Sequence, residues 1–133
     1  MTVHKIEDRP IHLGLGASSH VLPQFTGEMQ WYEDYMKRHG SDGHEGRLVS
    51  MHTFTESWAE WEVHPNGSEV VICVAGEMRL LQELSDGSVE TVHLSAGDYI
   101  INPPGIWHTA DIDKTATAMF ITAGEGTEGR PRT

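Results

Sequence analysis

Residues 61–76 read WEVHPNGSEVVICVAG, and residues 97–108 read GDYIINPPGIWH. Glu62, His64 and Glu69 in the first stretch and His108 in the second are all side chains that bind metal ions. They lie on or beside short apolar runs closed by Gly76, Gly97, Pro103 and Gly105. Short apolar runs bounded by glycine and proline turns read as strands. Strand side chains two apart share a face, so Glu62 and His64 point the same way. Asn66-Gly67 reads as a hairpin signal that returns Glu69 to cross-strand range of His64. His108 opens another strand after Pro103-Pro104-Gly105. Closure of the sheet into a barrel would bring all four together.

The chemistry of these residues favours a shared cation. Two carboxylates in one apolar interior repel each other and lose solvation, so without a cation one of them holds a proton. Imidazole with carboxylate is the usual donor set for Mn, Fe, Ni or Zn, and two Glu with two His make a formally neutral site for one divalent metal ion. This oxygen-rich set tilts toward Mn²⁺ or Fe²⁺ and away from a structural zinc site, which normally uses Cys.

Working outward, residues 47–123 predict an all-β domain. Candidate strands are 47–55, 58–64, 69–75, 77–84, 89–94, 99–102, 107–112 and 116–122, with Asp86-Gly87 a second hairpin signal and Gly76 a turn. Many short strands with regular turns indicate a jelly-roll β-barrel. Residues 1–46 are an irregular extension with one helix, from Glu28 to His39, packing on the barrel. Trp31, Tyr32, Tyr35 and Met36 form its apolar face, and Gly40 is placed to cap it. Residues 124–133 are a loosely held tail. The chain is one domain overall.

The 133 residues carry a formal net charge of −11. Such an excess repels phosphate backbones, so neither nucleic acid nor an anionic membrane is an expected partner. No apolar stretch reaches transmembrane length. Met1-Thr2-Val3-His4-Lys5 leads into charged residues rather than a signal segment, so a cytoplasmic location is expected. The lone Cys73 sits in an apolar run and reads as a small buried hydrophobe.

The two motif stretches resemble the paired motifs of the cupin superfamily. His64, Glu69, Gly76, Gly97, Pro103, Gly105 and His108 match in type and spacing. Glu62 stands where that family usually has its first His, and Ile112 where an Asn would follow. Trp61-Glu62-Val63-His64-Pro65 is similar to the signature of small single-domain members. The resemblance implies a cupin-like jelly roll, a metal site at Glu62, His64, Glu69 and His108, and a small-molecule ligand in the barrel mouth. His52, Phe54, Tyr99, Ile101, Ile106 and Phe120 are candidate walls of that pocket. Trp61 and Trp107 alternate away from the ligands, toward the outer face. His4, His12, His20, His39, His44 and His93 are scattered and carry no assigned role, and Asp42-Gly43-His44-Glu45-Gly46 reads as an acidic loop, with a second metal site there the remote alternative. A metal-dependent isomerase, lyase or dioxygenase is implied, with a non-catalytic small-molecule binding or sensing protein as the alternative. A homodimer is expected by analogy, because open sheet edges and the aromatic helix need cover.

Overall fold

The computed structural model describes residues 1–133. In chain order the elements are β1 (Ile11–Leu13), β2 (Ser19–Val21), α1 (Met29–His39), β3 (Arg47–Phe54), β4 (Glu60–Val63), β5 (Glu69–Glu83), β6 (Val89–Ser95), β7 (Tyr99–Asn102), β8 (Trp107–Asp111), β9 (Ala116–Thr122) and β10 (Glu128–Pro131). Every ladder is antiparallel. Two sheets share the long β5. Its first half pairs with β7 and β9, and the sheet continues through β3 and β1 to β2. Its second half pairs with β6 and β8, and that sheet continues through β4 to β10. The strand order runs open from β10 to β2 rather than closing on itself.

The predicted break at Gly76 is a bend within one strand. A register shift falls between Cys73 and Ala75, and Gly76 has φ +73°. A Cβ on Gly76 would stand 2.2 Å from the Thr115 carbonyl oxygen. Glycine is therefore required where β5 passes from one sheet to the other. Asp86-Gly87 makes the expected β5–β6 hairpin, with Glu83 opposite Val89. Asn66-Gly67 does not make one. β4 and β5 share no ladder, because this turn carries the chain from the second sheet to the first. Gly67 serves close packing instead, since a Cβ there would lie 2.6 Å from Ala123 Cβ.

Alternation arranges the interior in layers. Cys73 and Val71 on β5, Ala118 and Phe120 on β9, and Ala110 on β8 face the core with Leu80 and Leu94. At one end the same faces turn polar: Glu69 precedes Val71, Thr122 follows Phe120, and His108 precedes Ala110, all nearly inaccessible to solvent. Cys73 is a free, fully buried thiol.

The N-terminal stretch is more regular than its sequence suggests, because β1 and β2 extend the first sheet. α1 lies over the inner face of that extension. Trp31 and Tyr35 pack with Leu22 and Leu48, while Tyr32 and Met36 stay more exposed. Lys37, Arg38 and His39 occupy the last turn, where cations oppose the helix dipole. Gly40 keeps helical angles, so the chain runs on into a tight turn instead of a left-handed cap. The tail is also ordered: β10 pairs with β4, and the Arg130 guanidinium stacks over the rings of Trp107 and Trp61 and pairs with Glu83. This places Trp61 and Trp107 on the outer side. No helix is long and apolar enough to cross a membrane.

Candidate metal centre

The polar end of the two-sheet interior gathers Glu62, His64, Glu69 and His108. Glu62 and His108 are register partners on β4 and β8, so they share a face. Glu69 comes from the opposing sheet, and His64 from the residue following β4. The Nε2 atoms of His64 and His108 lie 3.1 and 3.0 Å from the two Glu69 carboxylate oxygens. A Glu62 oxygen stands 3.9 Å from His64 Nε2 and 4.0 Å from His108 Nε2. The donor atoms of Glu62, His64 and His108 all lie within 4.8 Å of one another.

Hydrogen bonds behind the imidazoles fix their tautomers. Thr127 Oγ1 donates its single proton to the Gly124 carbonyl at 2.9 Å. It therefore accepts from His64 Nδ1–H at 2.8 Å. His108 Nδ1 faces the Ile106 carbonyl at 3.4 Å, which can only accept. In the neutral state both rings thus turn an Nε2 lone pair toward the site. Both Nε2 atoms are buried and neither makes an aligned hydrogen bond, despite their closeness to Glu69. Lone pairs and carboxylate oxygens facing one another repel, so the arrangement calls for a cation or for protons. The donor set fits a first-row divalent ion.

The ionisation of the protein alone shows the same tension. Burial and the Glu69 charge raise the Glu62 carboxyl above its ordinary value, against the pull of the imidazoles. Burial would raise Glu69 too, but His108 and His64 override it and hold this carboxyl well below the usual range. His64 is raised: burial opposes its charge, and Glu69 and Glu62 more than compensate.

A pH dependence follows for the metal-free protein. Glu69 stabilises the fold above its ordinary value of 4.5, and this contribution fades as pH falls. His64 stabilises below its ordinary value of 6.5, and that contribution is lost as pH rises through its elevated folded value. Urea midpoints in chelator should therefore peak in mildly acid solution. Saturating Mn²⁺ should move the peak upward, because ligation needs neutral imidazole. A chelated midpoint that keeps rising through neutrality would contradict the pairing.

Several residues that shape the site have no motif of their own. Asn102 Nδ2 donates to Glu69 Oε1 at 3.1 Å, and Thr122 Oγ1 donates to Oε2 at 2.7 Å. Gln82 in turn donates to Asn102 Oδ1 at 2.7 Å. Strand register was the available signal, since Glu69 is opposite both Asn102 and Thr122. Thr127 was hidden in the tail. Asn66 Nδ2 donates to the Glu125 carbonyl at 2.9 Å and holds that segment in place. Thr127→Val should weaken metal binding by about tenfold or more, since partners of ligating imidazoles are typically worth 10–100-fold. Calorimetric titration with Mn²⁺ measures this, and an unchanged affinity would deny Thr127 the role.

Of the expected pocket walls, His52, Phe54 and Phe120 face inward. With Trp58 they form an aromatic file ending 6.2 Å from the His108 ring. Ile106 is half-buried beside His108. Tyr99 and Ile101 are not in the pocket: they are 65% and 49% exposed. Asn102 on β7 faces Glu69, and alternation turns Tyr99 and Ile101 to the outer face. On α1 the Tyr32 phenol is raised, by burial first and then by the Glu62 charge.

A family model described as "Cupin domain" matches residues 53–124. No curated protein matches the chain. Among solved structures, oxalate decarboxylase of Bacillus subtilis superposes with a TM-score of 0.54 at 21% identity, over 65% of this chain and 24% of that one. An oxalate oxidase superposes with a TM-score of 0.53 at 16% identity, over 61% of this chain and 44% of that one. Peruvianin-I, a cysteine peptidase from Thevetia peruviana latex, gives a TM-score of 0.54 at 20% identity, over 64% of this chain and 56% of that one. At these identities the likeness speaks for the fold, and the chain spans little more than half of these structures at most.

Proposed function

Because this chain belongs to the cupin domain family, we propose that it holds one divalent metal ion, Mn²⁺ or Fe²⁺ before Ni²⁺ or Zn²⁺, and acts on a small oxygen-bearing organic molecule. The observation that carries the reading is the pair of buried Nε2 lone pairs of His64 and His108, turned toward two carboxylates with no hydrogen bond of their own. Glu62, His64, Glu69 and His108 would be the ligands. Bound there, the ion would supply Lewis acidity toward a carbonyl or carboxylate oxygen or, if iron, the chemistry of dioxygen.

The remaining steps belong to the protein. Thr127 and the Ile106 carbonyl hold the imidazoles in their ligating tautomers. Asn102 and Thr122 hold the Glu69 carboxylate in its orientation. Glu62 is the most accessible of the four: its side chain is 44% exposed and its carboxyl is raised. A carboxylate so placed would take a proton from a substrate carbon or return one, as isomerase and lyase chemistry require. Phe54, Trp58 and Phe120 would exclude water from the reacting end. Trp58 Nε1–H is buried without a partner and would donate to a substrate oxygen.

The test is binding of Mn²⁺ to protein purified without chelators. One equivalent is expected, with Glu62→Gln weakening it by at least about tenfold. No binding of Mn²⁺ or Fe²⁺ would sink the reading. Metal binding and ligand-induced stabilisation without turnover on carbonyl or carboxylate substrates would favour the non-catalytic alternative. A homodimer belongs to the same reading. The outer face of the first sheet carries Val74, Tyr99 and Ile101 in solvent, and a second copy would cover it.

A further inference from the structure

A second group of ligating side chains lies beneath α1 and shares no residue with the first. His12 comes from β1, His39 is the last residue of α1, and Asp42 lies in the turn that follows. Their donor atoms all fall within 4.8 Å of one another. His12 is only 1% exposed. Its Nε2 stands 2.7 Å from Asp42 Oδ2, and its Nδ1 stands 2.6 Å from the Tyr35 hydroxyl. The His39 ring stacks on His12 with centroids 4.1 Å apart. His20, opposite His12 in the β1–β2 ladder, closes another side at 5.3 Å from His39 and 5.9 Å from His12.

A hydrogen-bonded hub that merely docks the helix would need His12, Asp42 and Tyr35 alone. The imidazoles of His39 and His20 make no hydrogen bond within the chain, and as cations they would repel His12 and each other. Burial, then His12 and His20, indeed lower His39. Space is also kept beside the central pair. A Cβ on Gly14 would come within 2.9 Å of Asp42 Oδ2 and 3.3 Å of His12 Nε2, and one on Gly46 within 3.0 Å of His12 Cε1. Neutral imidazoles beside one carboxylate form a nitrogen-rich donor set, softer than that of the first centre.

We propose that His12, His39 and Asp42 form a second metal site, for Zn²⁺ or a similar borderline divalent ion, with His20 placed to supply a further ligand. Tyr35 makes His12 adaptable. In the metal-free state the phenol donates to Nδ1 and Nε2–H donates to Asp42. With the ion on Nε2, the ring proton sits on Nδ1 and is donated to the phenol oxygen. No net proton leaves the ring, and the phenol need not ionise; burial and Asp42 push its pKa up to about 12. The ion would tie the end of α1 and its following turn to β1.

Zn²⁺ binding by equilibrium dialysis decides the matter. Wild-type protein should take up two equivalents. His39→Ala and Asp42→Asn should each weaken one of them by more than about a hundredfold, beyond the 10–100-fold that loss of a partner behind a ligand typically costs. His108→Ala should lose the other equivalent and keep the one that depends on His39. The His39 side chain is half-buried and free of hydrogen bonds, so His39→Ala should fold even if Asp42→Asn does not. Uptake of a single equivalent abolished by His108→Ala, or a stoichiometry and affinity untouched by His39→Ala, would overturn the second site. Loss confined to His39→Ala and Asp42→Asn, with His108→Ala unchanged, would support it and count against the first centre.

Discussion

His108→Ala should eliminate stoichiometric Mn²⁺ binding, with affinity falling by more than about a hundredfold. The side chain is fully buried and its Nε2 lies between Glu69 and Glu62. Its neighbours on the strand do not replace it: Trp107 points outward, Thr109 donates to the Glu60 carbonyl, and Ala110 is apolar. The metal-free protein should suffer as well. Glu69 would lose one of the two imidazoles that keep it ionised in the interior. Deleting a fully buried ring also leaves a cavity, which costs about 3–5 kcal/mol for large aromatic side chains. The two effects separate by comparison with Glu62→Gln, whose side chain is 44% exposed. That variant should weaken the metal while leaving the urea midpoint in chelator nearly unchanged. Calorimetric titration and urea unfolding of both variants provide the readouts. Wild-type Mn²⁺ affinity in His108→Ala would remove the metal centre from this protein.

Gly76→Ala should be the most destabilising single methyl addition in the chain. Its φ of +73° disfavours any side chain, and the new Cβ would meet backbone, the Thr115 carbonyl oxygen at 2.2 Å. A side chain could rotate away, but the Thr115 carbonyl belongs to the segment entering β9, which pairs with β5 along its first half. The left-handed conformation and the overpacking together should cost on the order of 2–5 kcal/mol. That is a large share of a typical domain's stability. Gly87→Ala is the matched control. Its φ is +85°, yet nothing lies within 4 Å of the added methyl. Only the conformational cost of about 1–2 kcal/mol should remain. Thermal unfolding of the pair measures the difference, and equal melting temperatures would show that the bend in β5 tolerates a side chain.

How much of this was legible beforehand differs residue by residue. Strand character across 47–123 came from local features: apolar alternation, the Asp86-Gly87 turn and Pro103-Pro104-Gly105. β7 and β9 begin and end where those features place them. Glu62, His64, Glu69 and His108 were identified by type and spacing, and the structure brings them together. The route differs, however. His64 meets Glu69 across two sheets and not across a hairpin ladder, because Asn66-Gly67 makes a turn between sheets. Tyr99 and Ile101 were misplaced because an apolar strand gives no sign of which face is inner until its neighbour's register is known. β10 and Thr127 were missed because a Gly- and Arg-rich tail lacks periodicity; it is held by Arg130 on two indoles and by pairing with β4.

By itself the sequence determined the menu: short strands, the positions where only glycine fits, one amphipathic helix, and a set of oxygen and nitrogen donors suited to a divalent ion. These are matters of side-chain type and local backbone preference, which neighbours in the chain settle. Tertiary structure decided which donors share a point in space. It placed Glu69 against His64 and His108, set their tautomers through Thr127 and Ile106, and gathered His12, His20, His39 and Asp42 from stretches that looked unrelated. The register between distant strands and the packing of α1 govern those meetings, and both depend on the whole core forming at once.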